Sequence, residues 1–303
     1  MPDVSVIMSA YKEPVDVFLE AVESIESQTY PDFEFLIVLD CPDNHELRAQ
    51  INEIASNDSR VVPIWNDENI GLAESLNRAV KFSCGRFICR IDADDIAAPN
   101  RIEMQLGYVK QGNYDLVGSY LEIIDQNGEP QYGVSNIPVD DKRIKKSMRW
   151  NNCMPHPSWF GKRWVFERGY RHIPLCEDYD FLLRAALDGV RMGNCPETLV
   201  KYRMSKDSIS RSNLFRQFLY QCYLSSCYSR HAVAQIDEAN DWVSSHYGEN
   251  EAASYARANS LFNEGLNSIR ERRLVSAIWK LIQVPFVSSR YMNKVFRLAM
   301  SAA

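Results

Sequence analysis

Short β-branched runs alternate with amphipathic stretches along residues 4–118, and no other feature of this 303-residue chain restricts its fold as tightly. The runs occupy 4–8, 33–39, 61–65, 87–91 and 116–118, and apolar residues recur every three or four positions through 15–27, 44–55, 72–83 and 101–110. Strand–helix alternation of this kind calls for an α/β fold, a mostly parallel sheet covered by helices on both faces through right-handed crossovers. Ligands of such sheets bind just beyond the carboxyl ends of the strands. Three segments fall there, Ala10-Tyr11-Lys12-Glu13, Asp40-Cys41-Pro42-Asp43 and Asp92-Ala93-Asp94-Asp95, and all are more polar or acidic than a core loop needs.

The third segment is chemically the most telling. Three carboxylates within four residues, with no lysine or arginine among them, repel one another unless a hard divalent cation lies between them. The bland alternative is a solvated acidic turn before the helix that begins near Pro99. The chain has neither the Gly-x-x-x-x-Gly-Lys-Ser/Thr loop of a P-loop ATPase nor a Gly-x-Gly-x-x-Gly fingerprint, so a bound phosphate would be neutralised by metal and basic side chains. A second acidic cluster, Glu177-Asp178-Tyr179-Asp180, precedes an amphipathic helix, where Asp178 reads as a helix cap or as a general base.

With 46% apolar and 24% charged residues the composition is that of an ordinary globular protein, and a net charge of −6 disfavours nucleic acid as partner. Eight scattered cysteines without a Cys-x-x-Cys pair read as reduced core thiols. The first residues lack a basic n-region, and no apolar stretch reaches the ~20 residues that span a bilayer, so a cytoplasmic protein is expected. Residues 128–203 are mixed, with helices at 140–150 and 179–187. Beyond Asn213 the pattern is helical, with Pro285 expected to break the last segment in two. The tail from Leu274 combines apolar faces with Arg290, Lys294 and Arg297 and has no acidic residue. It can lie peripherally on the inner face of an anionic membrane or pack on its own domain.

The opening Val4-Ser5-Val6-Ile7-Met8-Ser9-Ala10-Tyr11 resembles the first strand of the family 2 inverting glycosyltransferases of GT-A fold. Glu26 to Glu34, Asn69-Ile70-Gly71-Leu72-Ala73, Asn77-Arg78-Ala79, and Arg90 to Asp95 with Pro99-Asn100-Arg101 are similar to later segments of that family. His156-Pro157-Ser158, Glu177 to Asp180 and Tyr202-Arg203 follow in the family's order. The resemblance covers residues 3–212 and implies a GT-A domain over 1–212, with residues 213–303 a helical region for acceptor, membrane or oligomer contacts.

It further implies a nucleotide-sugar donor, with UDP-glucose or UDP-galactose favoured, and Mn²⁺ or Mg²⁺ as cofactor. Tyr11, Glu13 and Asp40 would line the base and ribose pocket, and the Asn69-Ile70-Gly71-Leu72 turn would approach the nucleotide by its backbone. Asp92, Ala93, Asp94 and Asp95 would meet ribose and metal, with Asp94 or Asp95 the main ligand, and Arg203 or Arg211 would hold the leaving diphosphate. Asp178 would be the base of a one-step, inverting transfer, and His156 and Glu177 would contact acceptor or metal. The acceptor would be a saccharide, lipid-linked, in O-antigen, capsule or exopolysaccharide synthesis. A sugar nucleotidyltransferase and a catalytically silent nucleotide-sugar-binding protein stand as alternatives.

Overall fold

The computed structural model of the chain describes residues 1–204 and 213–302. The expected alternation is present as β1 (Val4–Ala10), α1 (Val15–Glu26), β2 (Phe33–Leu39), α2 (His45–Asn57), β3 (Val61–Trp65), α3 (Gly71–Phe82) and β4 (Phe87–Arg90). These four strands pair in parallel in the order β3-β2-β1-β4. Their side chains obey the two-residue period of a strand. Val4, Val6, Met8 and Ala10 of β1, with Phe33, Phe35, Ile37 and Leu39 of β2, join one buried cluster, and Ile7, Leu36 and Val38 join the other. Phe18, Val22 and Ile25 of α1 and Leu47 and Ile51 of α2 cover the first face, and Leu76 and Val80 of α3 cover the second. Asn44 starts α2 by accepting the Leu47 N–H at 3.1 Å.

The second half of the sheet changes direction. After β5 (Ile96–Ala97) and α4 (Arg101–Gly112) come β6 (Leu116–Ile124), β7 (Pro130–Val134), α5 (Asp141–Ser147), β8 (Phe160–Lys162), α6 (Arg163–Phe166), α7 (Glu177–Leu187) and β9 (Met192–Arg203). The sheet continues β4-β8-β6-β9-β5, with β7 on the side of β6. Its β4–β8 and β8–β6 pairs are antiparallel, and β6–β9 is parallel with register shifts between Ser119 and Leu121. A three-residue strand and a bulged one carry too little periodicity to be seen in sequence.

Five helices follow: α8 (Leu214–Ser229), α9 (Ile236–His246), α10 (Glu249–Arg270), α11 (Leu274–Val287) and α12 (Ser289–Ala302). The boundary expected at 212 falls outside the described residues. On its far side Phe215, Leu219, Val243, Tyr255, Val284 and Tyr291 join the same buried cluster as Trp159, Tyr179 and Leu182. Pro285 does not break the tail. It lies inside α11, near its end and exposed, and the chain turns at Ser288 instead. A proline removes a backbone donor and crowds the carbonyl four residues back, yet α11 runs on through Val287. Among the described residues no helix is long and apolar enough to cross a membrane. Six of the eight cysteines are buried, and all eight are free thiols.

α7 is held in place by a buried ion cluster. Asp180 Oδ2 accepts Arg171 Nε at 3.0 Å and Arg184 Nε at 2.8 Å, while the two arginines donate onward to the carbonyls of Ala234 and Gly169. Asp180→Ala leaves both cations without their carboxylate. It is expected to lower stability by about 3 kcal/mol in urea unfolding, as removal of one member of a buried pair does.

Candidate functional site

The carboxyl ends of β1, β2, β3 and β4 open on one edge of the sheet, and the polar segments expected there do line it. Asp40, directly after β2, is buried, and its carboxylate fastens the turn that opens α3. Oδ1 accepts Asn66 Nδ2 at 2.7 Å and the Ile70 N–H at 2.9 Å, and Oδ2 accepts the Gly71 N–H at 2.8 Å. Asn69 Oδ1 accepts the same Gly71 N–H at 3.0 Å. Gly71 has φ +83°, which a side chain would resist, so the turn needs glycine. Leu72 is exposed on the first turn of α3, and Tyr11 is exposed past β1. Glu13 Oε2 accepts the Tyr11 N–H at 2.7 Å, and burial, with the nearby Asp92 charge, raises its carboxyl.

Beyond β4 the acidic turn is tightly folded. Oxygens of Asp92, Asp94 and Asp95 all lie within 4.8 Å of one another, and Ala93 is buried between them. No arginine stands between these acids, and the one two residues upstream is folded against them. Arg90, the last residue of β4, is almost fully buried and makes a two-point pair with Asp92, of which Nη1–Oδ2 is 2.7 Å. Burial works against the Arg90 cation, and Asp92, Tyr170 and Asp95 more than offset it. Asp95 is fully buried, one oxygen accepting the Arg203 N–H at 2.8 Å and the other, Oδ2, without a hydrogen-bond partner. Its carboxyl is raised well above the ordinary range by burial and by Asp92 and Asp94. Burial, Asp92 and Glu13 push Asp94 up to about 7.

A crowded set of hard oxygen donors, one of them buried and unsatisfied, fits a divalent cation such as Mg²⁺ or Mn²⁺. Arg203 lies behind this turn: Nε donates to the Asp94 carbonyl at 2.9 Å, Nη1 to the Gln126 carbonyl at 3.2 Å, and Nη2 pairs with Glu20. Its guanidinium is thus committed to holding the turn. Arg211, the other expected cation, lies outside the described residues.

Asp178, second residue of α7, does not cap its helix. Its Oδ1 accepts the Tyr179 N–H at 2.7 Å and its Oδ2 accepts Asn152 Nδ2 at 2.8 Å. Burial raises its carboxyl, and the Tyr179 N–H, Arg90 and Asn152 hold it back. Glu177 beside it is half-buried and raised mainly by burial. His156 stands edge-on to Trp159 with centroids 4.5 Å apart, and its Nε2 meets the Tyr170 hydroxyl at 2.9 Å. Burial and the Arg90 charge keep the imidazole neutral, well below its ordinary value. The Tyr170 hydroxyl in turn lies within electrostatic reach of both Asp92 and Asp178. The acidic turn therefore pairs with one buried guanidinium, that of Arg90, and the start of α7 feels the same charge.

Sequence pattern alone assigns no role to Arg90, Asn152, Tyr170 or Asn66. Only Arg90 left a signal, a cation at the end of an otherwise apolar strand.

The charge arrangement fixes a pH dependence. Asp94 keeps its proton to about 7 in the fold and to 3.8 ordinarily, so between these values the folded chain binds more protons than the unfolded one. In chelator, the melting temperature is expected to fall as pH rises from 5 to 8, and Asp94→Asn to flatten that slope. At pH 8, titrating Mn²⁺ should restore wild-type stability and leave Asp94→Asn little changed.

Residues 5–169 match the sequence profile of the family described as Glycosyl transferase family 2. An uncharacterized glycosyltransferase of Methanocaldococcus jannaschii is 36% identical over 67% of this chain and 71% of its own. The O-antigen biosynthesis glycosyltransferase WbnJ of Escherichia coli is 33% identical over 69% of this chain and 82% of its own. A UDP-Gal:alpha-D-GlcNAc-diphosphoundecaprenol beta-1,3-galactosyltransferase of Escherichia coli is 27% identical over 69% and 77%. Among solved structures, S. aureus TarS 1-349 in complex with UDP-GlcNAc superposes with a TM-score of 0.59 at 17% identity, over 99% of this chain and 88% of that one. It shares the fold.

Proposed function

This chain belongs to glycosyl transferase family 2, and from that premise we propose that it moves a hexose from a UDP-sugar to a saccharide hydroxyl with inversion at the anomeric carbon. The observation that supports the reading is the cluster of Asp92, Asp94 and Asp95 paired to the buried Arg90, whose charge also acts on Asp178.

The uridine side would be formed by Tyr11, Glu13, Asp40 and the Asn69–Leu72 turn. Asp40 is already engaged in three hydrogen bonds, so its first duty is to hold that turn still, with its remaining lone pair available to a base N–H. Asp92, Asp94 and Asp95 would hold Mn²⁺ or Mg²⁺. When bound there, a divalent cation supplies positive charge for the departing diphosphate. Asp94 or Asp95 is the main ligand; the unsatisfied Oδ2 of Asp95 favours a share for both. Arg203 acts behind them as a positioning residue for the acidic turn.

Asp178 takes the proton of the acceptor hydroxyl as that oxygen attacks the anomeric carbon. The new C–O bond forms while the bond to phosphate breaks, and its electron pair leaves with the nucleoside diphosphate. Attack opposite the leaving group inverts the centre, so an α-linked donor gives a β-linked product. Burial raises the basicity of Asp178, and the hydrogen bonds from Asn152 and Tyr179 aim both oxygens. His156, neutral and tied to Tyr170, is suited to accept from or donate to a sugar hydroxyl. The names of the Escherichia coli relatives support a lipid-diphosphate-linked saccharide as acceptor in surface polysaccharide synthesis.

Asp178→Asn is expected to cut transfer by about 10³-fold while calorimetry shows an unchanged affinity for the UDP-sugar. Near-native turnover in that variant would remove Asp178 from the role of base. Chelator should abolish transfer and Mn²⁺ or Mg²⁺ restore it, so full activity in chelator would refute the metal assignment. Pyrophosphate release from sugar phosphate and a nucleoside triphosphate would instead favour a nucleotidyltransferase.

A further inference from the structure

α11 packs on α10 by one side only. Ala277 and Val284 are buried, and Leu281 sits so close to Gly265 that an added Cβ would stand 2.7 Å from its side chain. The opposite side is a stripe of large apolar residues facing solvent. It runs Leu274, Val275, Ile278, Trp279, Ile282 and Phe286, with Trp279 71% and Phe286 88% exposed. At 100° per residue these six occupy about 140° of the helix, a continuous apolar face. A patch of this kind marks an interaction surface on a water-facing protein.

Charge indicates what covers it. From 274 to 303 there are four basic residues and no acidic one, in a chain whose net charge is −6. Arg272 and Arg290 stand exposed at the two ends of α11. A second copy docked about a two-fold would bring these cations together; the flanking Glu271 is already paired with Arg273, and the helix itself holds no carboxylate. At 14 residues the helix is about 21 Å long, short of the ~30 Å of a bilayer core, so it can lie in a membrane surface and cannot span it.

The geometry points to α11 as an in-plane docking face for an anionic lipid surface, with its apolar stripe among the acyl chains and its flanking arginines at the headgroups. The following helix joins this face to the site. The Ser147 hydroxyl donates to the Ser301 carbonyl at 2.8 Å, and the ring of Phe296 meets Trp150 edge-on at 5.9 Å, close in sequence to the Asn152 that holds Asp178. A surface-bound enzyme thus keeps the segment that carries Asn152 connected, through α12, to the element that touches the lipid. The use of this face rests on the lipid-borne acceptor proposed above; the binding itself does not.

The test is flotation of the full chain, without substrates, with vesicles of phosphatidylcholine alone or with about 30% phosphatidylglycerol. Wild-type protein is expected to float with the anionic vesicles, and to be partly released as salt rises from about 0.1 to about 0.5 M. Trp279→Glu/Phe286→Glu should lower that partition at least about tenfold, with donor hydrolysis and melting temperature retained as the sign of an intact fold and site. Arg290→Glu, which leaves the stripe intact, should weaken binding to anionic vesicles about tenfold and serves as the deciding variant if the double one misfolds. Wild-type protein that stays at the bottom with anionic vesicles overturns the proposal. So does equal flotation of the variants, or a dimer that the double variant dissociates without any vesicle binding.

Discussion

A guanidinium buried at the end of a sheet strand is the interaction around which this molecule is arranged. Arg90 is withdrawn from water, which costs several kcal/mol unless its charge is answered. Asp92 answers it through two hydrogen bonds, and the fields of Asp95, Asp94 and Asp178 add to that. The same cation makes three crowded carboxylates tolerable. Without it, Asp92 would be one more repelling charge in the cluster, and the turn would open. Even with it, Asp94 and Asp95 remain partly uncompensated and hold their protons far above the ordinary range. That residual repulsion is what a divalent ion at this turn would relieve.

Around this centre the protein commits its polar side chains to support. Asp40 holds the turn before α3, Arg203 the acidic turn from behind, and Asp180 the start of α7. Arg101, buried beside the site, donates to the Arg90 carbonyl at 2.6 Å and so fixes the backbone from which Arg90 projects. Each keeps a group on a loop or helix end as still as a group on a strand, which is the requirement for charges meant to act on a transition state. The region after Asn213 takes part as well: the Ala234 carbonyl, between α8 and α9, accepts from Arg171, one of the two cations that clasp Asp180.

The parallel half of the fold was legible from residue pattern, because burial on both faces of a strand and one face of a helix leaves a period that can be counted. β1, β2 and β3 show it cleanly. The half built from β6, β8 and β9 was not, since β8 has three residues and β9 is interrupted where its register shifts. The site divides in the same way. Asp92, Asp94, Asp95 and Asp178 stand out as clustered acids, the first three at the end of an apolar run and the last at the start of an amphipathic helix. The family resemblance makes Arg203 a cation for the diphosphate, and its position behind the acidic turn depends on β9 running beside β6, which no local pattern reports.

The sequence by itself determined the elements of the first half, the edge of the sheet on which a ligand would sit, the acid-rich turn, and the basic, acid-free tail. These are local properties, written in spacing and charge along the chain. Tertiary structure alone decided that Arg90 answers Asp92, that Asn152 and Tyr179 aim Asp178, that His156 is tied to Tyr170, and that one side of α11 is left uncovered. Asn152 on Asp178 and His156 on Tyr170 depend on which separated segments are brought together. Arg90 and Asp92 are two residues apart and Tyr179 adjoins Asp178, and there the fold decides the burial that makes the contact matter.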